Sequence, residues 1–177
     1  HEVMALSHRT DEVGVRCVDA RVDDRDDDAR RPGRPIPGRG EVERSARILD
    51  CCAEKSGGFL AAGPLEAASA DDTAMLVSAP LGVILGVQPW NFPYYQLARV
   101  AGPNLMAGNV VMVKHASNVP QAAAAFEKLL LEAGAPAGAY TNLYATKDQI
   151  NLLIDDDRVR GVALTGSEGA GAVVAAR

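Results

Sequence analysis

From Pro80 onward the chain alternates short apolar runs with longer segments of helical period, and this alternation constrains the fold more than any other feature. "LGVILGV" and "NVVMVK" read as buried strands. Between them "YYQLARVAGPNLMAG" reads as a helix interrupted by Gly102-Pro103 and closed by Gly108. "VPQAAAAFEKLLLEAG" is the clearest helix, with Ala122, Phe126, Leu129, Leu130 and Ala133 on one face and Gly134 as its stop. "TNLYA" follows as a strand, "KDQINLLID" as a short helix, "GVALTG" as a strand and "SEGAGAVVAAR" as the start of a new helix. Parallel strands need crossover connections of this length. The rhythm therefore predicts an α/β fold, a doubly wound, Rossmann-like parallel sheet with helices on its faces.

The segment before Pro80 is less regular. "EVERSARILDCCAEKSGGFLAA" has Val42, Ala46, Leu49 and Cys52 at helical spacing, with Gly57-Gly58 weakening or ending the helix. Residues 64–80 read as a polar connection with one strand, "TAMLVSA". Residues 1–38 mix acidic and basic side chains with Pro and Gly, as in "RVDDRDDDARRPGRPIPGRG", and have almost no aliphatic periodicity. Such a stretch cannot bury enough surface to offset its ordering entropy, so a poorly ordered arm is expected over 1–38 and a folded domain over 39–177. A solvated charge run is the plainer account of Asp23, Asp24, Asp26, Asp27 and Asp28 than an acidic metal site.

Composition narrows the function classes. With 177 residues the chain has room for one domain or most of a larger one, and 47% hydrophobic content with 5% aromatics suits a globular α/β protein. A net charge of -5 gives nucleic acid no general electrostatic reason to bind. Neither a signal peptide nor a run of about 18 apolar residues is present, and Cys17, Cys51 and Cys52 lack metal-ligand spacing. The expectation is a cytoplasmic protein without membrane or metal. Cys51 and Cys52, neighbours on a helix, point apart and suit structural thiols better than a redox pair. His1, His8 and His115 form no metal set. Because a new helix has just begun at the last residues, a truncated chain is expected.

Ligands of open parallel sheets bind outside the carboxyl ends of the strands, where three stretches fall: "QPWNFP", "KHASN" and "TGSEGAG". The last follows a strand and opens a helix, so the free N–H groups after Gly166 and Ser167 suit a pyrophosphate. Its spacing is not G-x-G-x-x-G, a tight turn is the commoner meaning of such a start, and Glu168 would oppose an anion. Lys114 at a strand end suits a hydroxyl or phosphate, or is simply solvated; Ser117 is either a second polar contact or the N-cap of the helix after Pro120. Prolines on both sides hold Asn91 in a rigid turn, so its amide could donate to a developing oxyanion. Taken alone, a turn asparagine bonding its own backbone is the stronger alternative.

Taken together, "PLGVILGVQPWNFPYYQLARVAGPNLMAGNVVMVKHASNVPQAAAAFEKLLLEAGAPAGAYTNLY" and "DDRVRGVALTGSEGAG" resemble the cofactor-binding domain of the aldehyde dehydrogenase superfamily, and within it the succinate-semialdehyde dehydrogenases most. The likeness covers about Gly40 to Arg177. It implies NAD or NADP as cofactor and a small aldehyde as substrate. Asn91 would form the oxyanion hole, Lys114 and Ser117 would contact the adenosine ribose, Val87, Pro89 and Trp90 would line the cofactor cleft, and Gly166 and Ser167 would meet the pyrophosphate. Members with a strong preference for NAD often carry glutamate where Ser117 stands, so NADP should be accepted. Arg99, eight residues past Asn91, would hold the substrate's free carboxylate; a surface arginine is the alternative. The family's cysteine nucleophile and glutamate base come from later segments that have no counterpart here, and Cys17, Cys51 and Cys52 lie in the wrong region. The isolated chain is therefore expected to be inactive, its oligomeric state open although full-length members assemble as homo-oligomers. The alternatives are a non-catalytic nucleotide-binding module and a decayed product that does not fold.

Overall fold

The computed structural model describes residues 3–8, 38–67, 69 and 72–177. Its main sheet has the order β1-β7-β4-β5-β6. Strands β4 (Val83–Gln88), β5 (Val110–His115), β6 (Tyr140–Asn142) and β7 (Val159–Gly166) are mutually parallel, while β1 (Val3–His8) joins β7 antiparallel at the edge. Helices α1 (Gly38–Phe59), α2 (Pro93–Met106) and α3 (Pro120–Glu132) cover one face; α4 (Lys147–Ile154) and α5 (Glu168–Ala175) lie on the other. The alternation expected after Pro80 is thus realised as a doubly wound sheet. Ile84 packs with Leu97, Val111 and Phe126 on the first face, and its neighbour Leu85 packs with Ile150 and Val162 on the second. Both are fully buried, because a strand covered on two faces has no wet side.

Several local expectations are corrected by packing. Residues 3–8 were expected in a poorly ordered arm, yet they form β1, from Val3 opposite Gly166 to His8 opposite Gly161. Cys17 and the acidic run at Asp23, Asp24, Asp26, Asp27 and Asp28 lie outside the described residues. The connection expected to hold one strand holds two, β2 (Gly63–Leu65) and β3 (Ala74–Leu76), paired antiparallel as a separate small sheet. Helix α1 continues through Gly57-Gly58 and stops one residue later. Its inward face is Ser45, Ile48 and Leu49, while Val42 is 52% exposed. Ser45 tolerates burial because its hydroxyl donates to the Glu41 carbonyl at 2.8 Å. On α3 the buried positions are Ala123 and Phe126, with Leu130 partly buried, and Leu129 turns outward.

Helix α2 is not interrupted by Gly102-Pro103 but runs through both. An interior proline costs about 3 kcal/mol through its missing N–H and ring clash. Burying Leu97 and Val100 contributes about 1.5–3 kcal/mol each, enough to offset that cost. Gly102 has a different task. A β-carbon there would lie 3.1 Å from Cys52 Sγ and 3.4 Å from Leu49 Cδ2, so the missing side chain lets α1 seat directly on α2. Gly108, at φ +83, then ends the helix as the sequence predicts. Among the described residues, no helix is long and apolar enough to cross a membrane, and no group of three or more His, Cys, Asp or Glu could hold a metal ion.

Candidate functional site

Because β4, β5 and β7 are parallel neighbours, the segments following them emerge at one edge of the sheet. Gln88 ties two of these strands together there: buried at the end of β4, it donates from Nε2 to the Ala163 carbonyl at 3.0 Å. His115 ends β5 beside it, with Nδ1 3.2 Å from the Gln88 carbonyl oxygen and accepting the Ala116 N–H at 3.0 Å. Its Nε2 is buried without a hydrogen-bond partner. Burial pushes the imidazole below its ordinary pKa, more than the backbone oxygens of Gln88 and Pro93 pull it back; Lys114 adds to the lowering and Glu41 opposes it.

The turn after β4 carries the first group of candidate residues. Pro89 and Asn91 are half-buried and Trp90 is 62% exposed. Phe92 closes the turn at φ 52, ψ 61, the left-handed region, where a residue with a β-carbon is strained by about 1–3 kcal/mol. Among the described residues it is the only non-glycine with positive φ. Pro93 occupies the first turn of α2, where its absent N–H costs nothing. Phe92 supplies no side-chain cap. Glu41 of α1 does so from a distance, its Oε1 accepting the N–H of Tyr94 at 2.7 Å and of Tyr95 at 3.1 Å. Arg99 Cζ lies 5.4 Å from the Tyr95 ring centre and Arg44 Cζ 5.7 Å, so two guanidinium groups gather on one ring at the start of α2.

The second group surrounds a cavity of about 290 Å³ at the ends of β5 and β6. Lys114 and Ser117 are on its wall, with Ala123, Asn142, Tyr144 and Thr146. Ser117 is exposed and is not the N-cap of α3; that position is Val119, with no side-chain bond. Asn142 is buried, and neither its amide nitrogen nor its amide oxygen has a hydrogen-bond partner. Val87 sits opposite Lys114 across the β4–β5 ladder, and both are half-buried. Val87, Pro89, Trp90, Asn91, Arg99, Gly166 and Ser167 are not on the cavity wall.

At the third strand end, Ser167 is the N-cap of α5, its hydroxyl accepting the Ala170 N–H at 3.3 Å. Gly166 is half-buried, and a β-carbon at Gly169 would meet nothing within 4 Å. The cavity thus brings Lys114 and Ser117 together, Val87 stands beside Lys114 in the ladder, and Asn91 and Ser167 follow neighbouring strand ends of the same edge. Cys51 is exposed and Cys52 half-buried on α1; burial, then the neighbouring Cys51, push the Cys52 thiol up, the wrong direction for a nucleophile. Sequence reasoning missed Glu41 and Asn142. Glu41 looks like one of several surface acids on α1, and Asn142 like any polar residue in a short strand.

Comparison with known proteins adds to this geometry. Residues 32–177 match the Aldehyde dehydrogenase family. The chain is 46% identical over 137 residues to the succinate-semialdehyde dehydrogenase [NADP(+)] of Deinococcus radiodurans, covering 77% of this chain and 28% of that protein. It superposes on a solved structure of Gox0499 with a TM-score of 0.75 and 58% identity, covering 77% of this chain and 30% of that one. For the Streptococcus pyogenes succinic semialdehyde dehydrogenase in complex with NADP+, the TM-score is 0.74 and the identity 50%, again over 77% and 30% of the two chains. The chain therefore spans less than a third of the length of these relatives.

Proposed function

The chain belongs to the aldehyde dehydrogenase family, and from that premise we propose that it forms the dinucleotide-binding part of an enzyme that oxidises succinate semialdehyde to succinate with NADP or NAD. One observation carries the proposal: the cavity at the sheet's carboxyl edge has Lys114 and Ser117 on its wall beside the unpartnered amide of Asn142. A buried amide left without partners is costly, and a bound polar ligand would meet that need. The open space at Gly169, near the start of α5, also fits an approaching phosphate.

In this reading Lys114 and Ser117 hold the adenosine ribose. Ser117 brings no negative charge against a 2′-phosphate. Gly166 and Ser167 meet the pyrophosphate through backbone N–H groups, and the Ser167 hydroxyl, which accepts from Ala170 as a cap, keeps its own O–H to donate. Val87, Pro89 and Trp90 line the path toward the reacting end. When bound, the nicotinamide supplies the hydride acceptor for aldehyde oxidation. Asn91 donates to the oxygen that gains negative charge, its turn kept rigid by Pro89, Pro93 and the strained Phe92, so that little reorganisation is needed as charge develops. Arg99 holds the far carboxylate of the substrate, its guanidinium steadied by the Tyr95 ring.

The thiol nucleophile is not among the described residues, because Cys51 and Cys52 sit on α1 away from Asn91's strand end and Cys52 is held protonated. By itself this chain accordingly binds cofactor without turning over aldehyde. A cytoplasmic setting and assembly with further subunits belong to the same proposal; exposed Leu65, Met75, Leu76 and Val77 on and after the small sheet support the second. Calorimetric titration with NADP+ and NAD+ is the test. Saturable binding is expected, weakened at least about tenfold, or about 1.4 kcal/mol, by Lys114→Ala. Ser117→Glu should lower affinity for NADP+ more than for NAD+. A cooperatively folded chain that binds neither would defeat the proposal.

A further inference from the structure

Helix α2 starts with no cap of its own, yet it follows the one left-handed non-glycine residue among those described. The N–H groups of Tyr94 and Tyr95 stand at the second and third helical positions, the two that a local N-cap side chain would normally take. Both donate instead to one oxygen of Glu41, a residue more than 50 positions upstream. We propose that Glu41 is a positioning residue for the Trp90–Phe92 turn: its carboxylate, carried by α1, holds the first turn of α2 and so sets the orientation of the Asn91 amide.

The surroundings of Glu41 fit that task. Its backbone carbonyl accepts the hydroxyl of buried Ser45, which steadies the first turn of α1 from inside. One turn along from Glu41, Arg44 reaches the Tyr95 ring that Arg99 also covers. Farther along the same pair of helices, Gly102 permits close approach to Cys52 and Leu49. Glu41 is thus fixed relative to α2 at two separate levels. Its charge lies close enough to His115, beneath the turn, to oppose the lowering of that imidazole's pKa. A carboxylate held this firmly can impose a conformation that the local sequence does not favour. Without it, Phe92 would be free to leave the left-handed region, and the Asn91 amide would move with it.

The inference relies on the proposed role of Asn91 only for its consequence in catalysis. The turn itself can be read directly, because Trp90 is the chain's single tryptophan. Time-resolved fluorescence anisotropy of the whole chain should show the amplitude of fast Trp90 motion rising at least twofold in Glu41→Ala. Glu41→Gln, which keeps an accepting oxygen at the same reach, should restore the wild-type decay; Glu41→Asp, one methylene shorter, should not. Val42→Ala, at an exposed neighbour on α1, is the control and should change nothing. An unchanged Trp90 decay in a folded Glu41→Ala chain, or a Gln variant as mobile as the Ala variant, would overturn the inference. Should Glu41→Ala not fold, hydrogen exchange on the wild-type chain decides. The amides of Tyr94 and Tyr95 should exchange at least tenfold more slowly than those of Gln121 and Ala122, the same positions of α3, whose start has no side-chain cap. Equal rates would overturn it. Trp90 reports the turn whether or not cofactor binds, so this inference and the dehydrogenase reading can fail separately.

Discussion

His115 ties a single residue to the behaviour of the site. Its ring is buried at the end of β5 with Nε2 unpaired, and its pKa is lowered first by that burial. The unfolded chain takes up a proton near the ordinary value of 6.5 while the folded chain does so only at lower pH, so the unfolded state is favoured as pH falls below 6.5. The melting temperature should accordingly drop between pH 7 and pH 5.5, and the drop should be smaller in His115→Gln, as differential scanning calorimetry at several pH values would show. The same residue marks how far single positions can be read from sequence. A lone histidine after a strand signals no ligand set, and that much is local. Its burial and the backbone oxygens of Gln88 and Pro93 that oppose the lowering of its pKa come to it only through the fold.

At the scale of elements, the seating of α1 on α2 rests on the absence of a side chain. Gly102→Val would press branched methyl groups against Cys52 Sγ and Leu49 Cδ2, and overpacking of this kind costs about 1–3 kcal/mol. Tm should fall by roughly 3–10 °C. Gly102→Ala should be much milder, because a gain of about 1 kcal/mol in helix propensity opposes a clash that shifts of a few tenths of an ångström relieve. Thermal melts of the two variants test this difference. A steep loss in Gly102→Ala would mean that α1 cannot shift at all. The existence and order of α2, α3 and α4 were legible from period and punctuation. The faces they bury were not: Ser45 and Ala123 point inward where Ala46 and Ala122 were expected, since rotation by one residue changes the apolar stripe little but changes the partner completely.

Among the described residues the molecule has a five-stranded sheet, with the proposed site at its carboxyl edge, and a separate two-stranded sheet. If cofactor binds at that edge in the folded state alone, NADP+ at 100 times its Kd should raise the unfolding free energy by about 2.7 kcal/mol. A thermal-shift series should then show Tm climbing with NADP+ concentration in the wild type, and climbing by about half as much or less over the same range in Lys114→Ala, since a tenfold weaker site gains about 1.4 kcal/mol. A concentration-independent Tm in the wild type would count against a preformed site. The parallel sheet with helices on its faces, the helix stops at Gly108 and Gly134, and the placing of "QPWNFP", "KHASN" and "TGSEGAG" at one edge were all determined by the sequence by itself. Each follows from spacing within a few residues or from the handedness and length of crossovers. The pairing of β1 with β7, the continuation of α2 through Pro103, the orphaned amide of Asn142 and the carboxylate of Glu41 at the head of α2 were decided only by the tertiary structure. Each depends on groups far apart in the chain, and their balance of burial, strain and hydrogen bonding does not exist until packing brings them together.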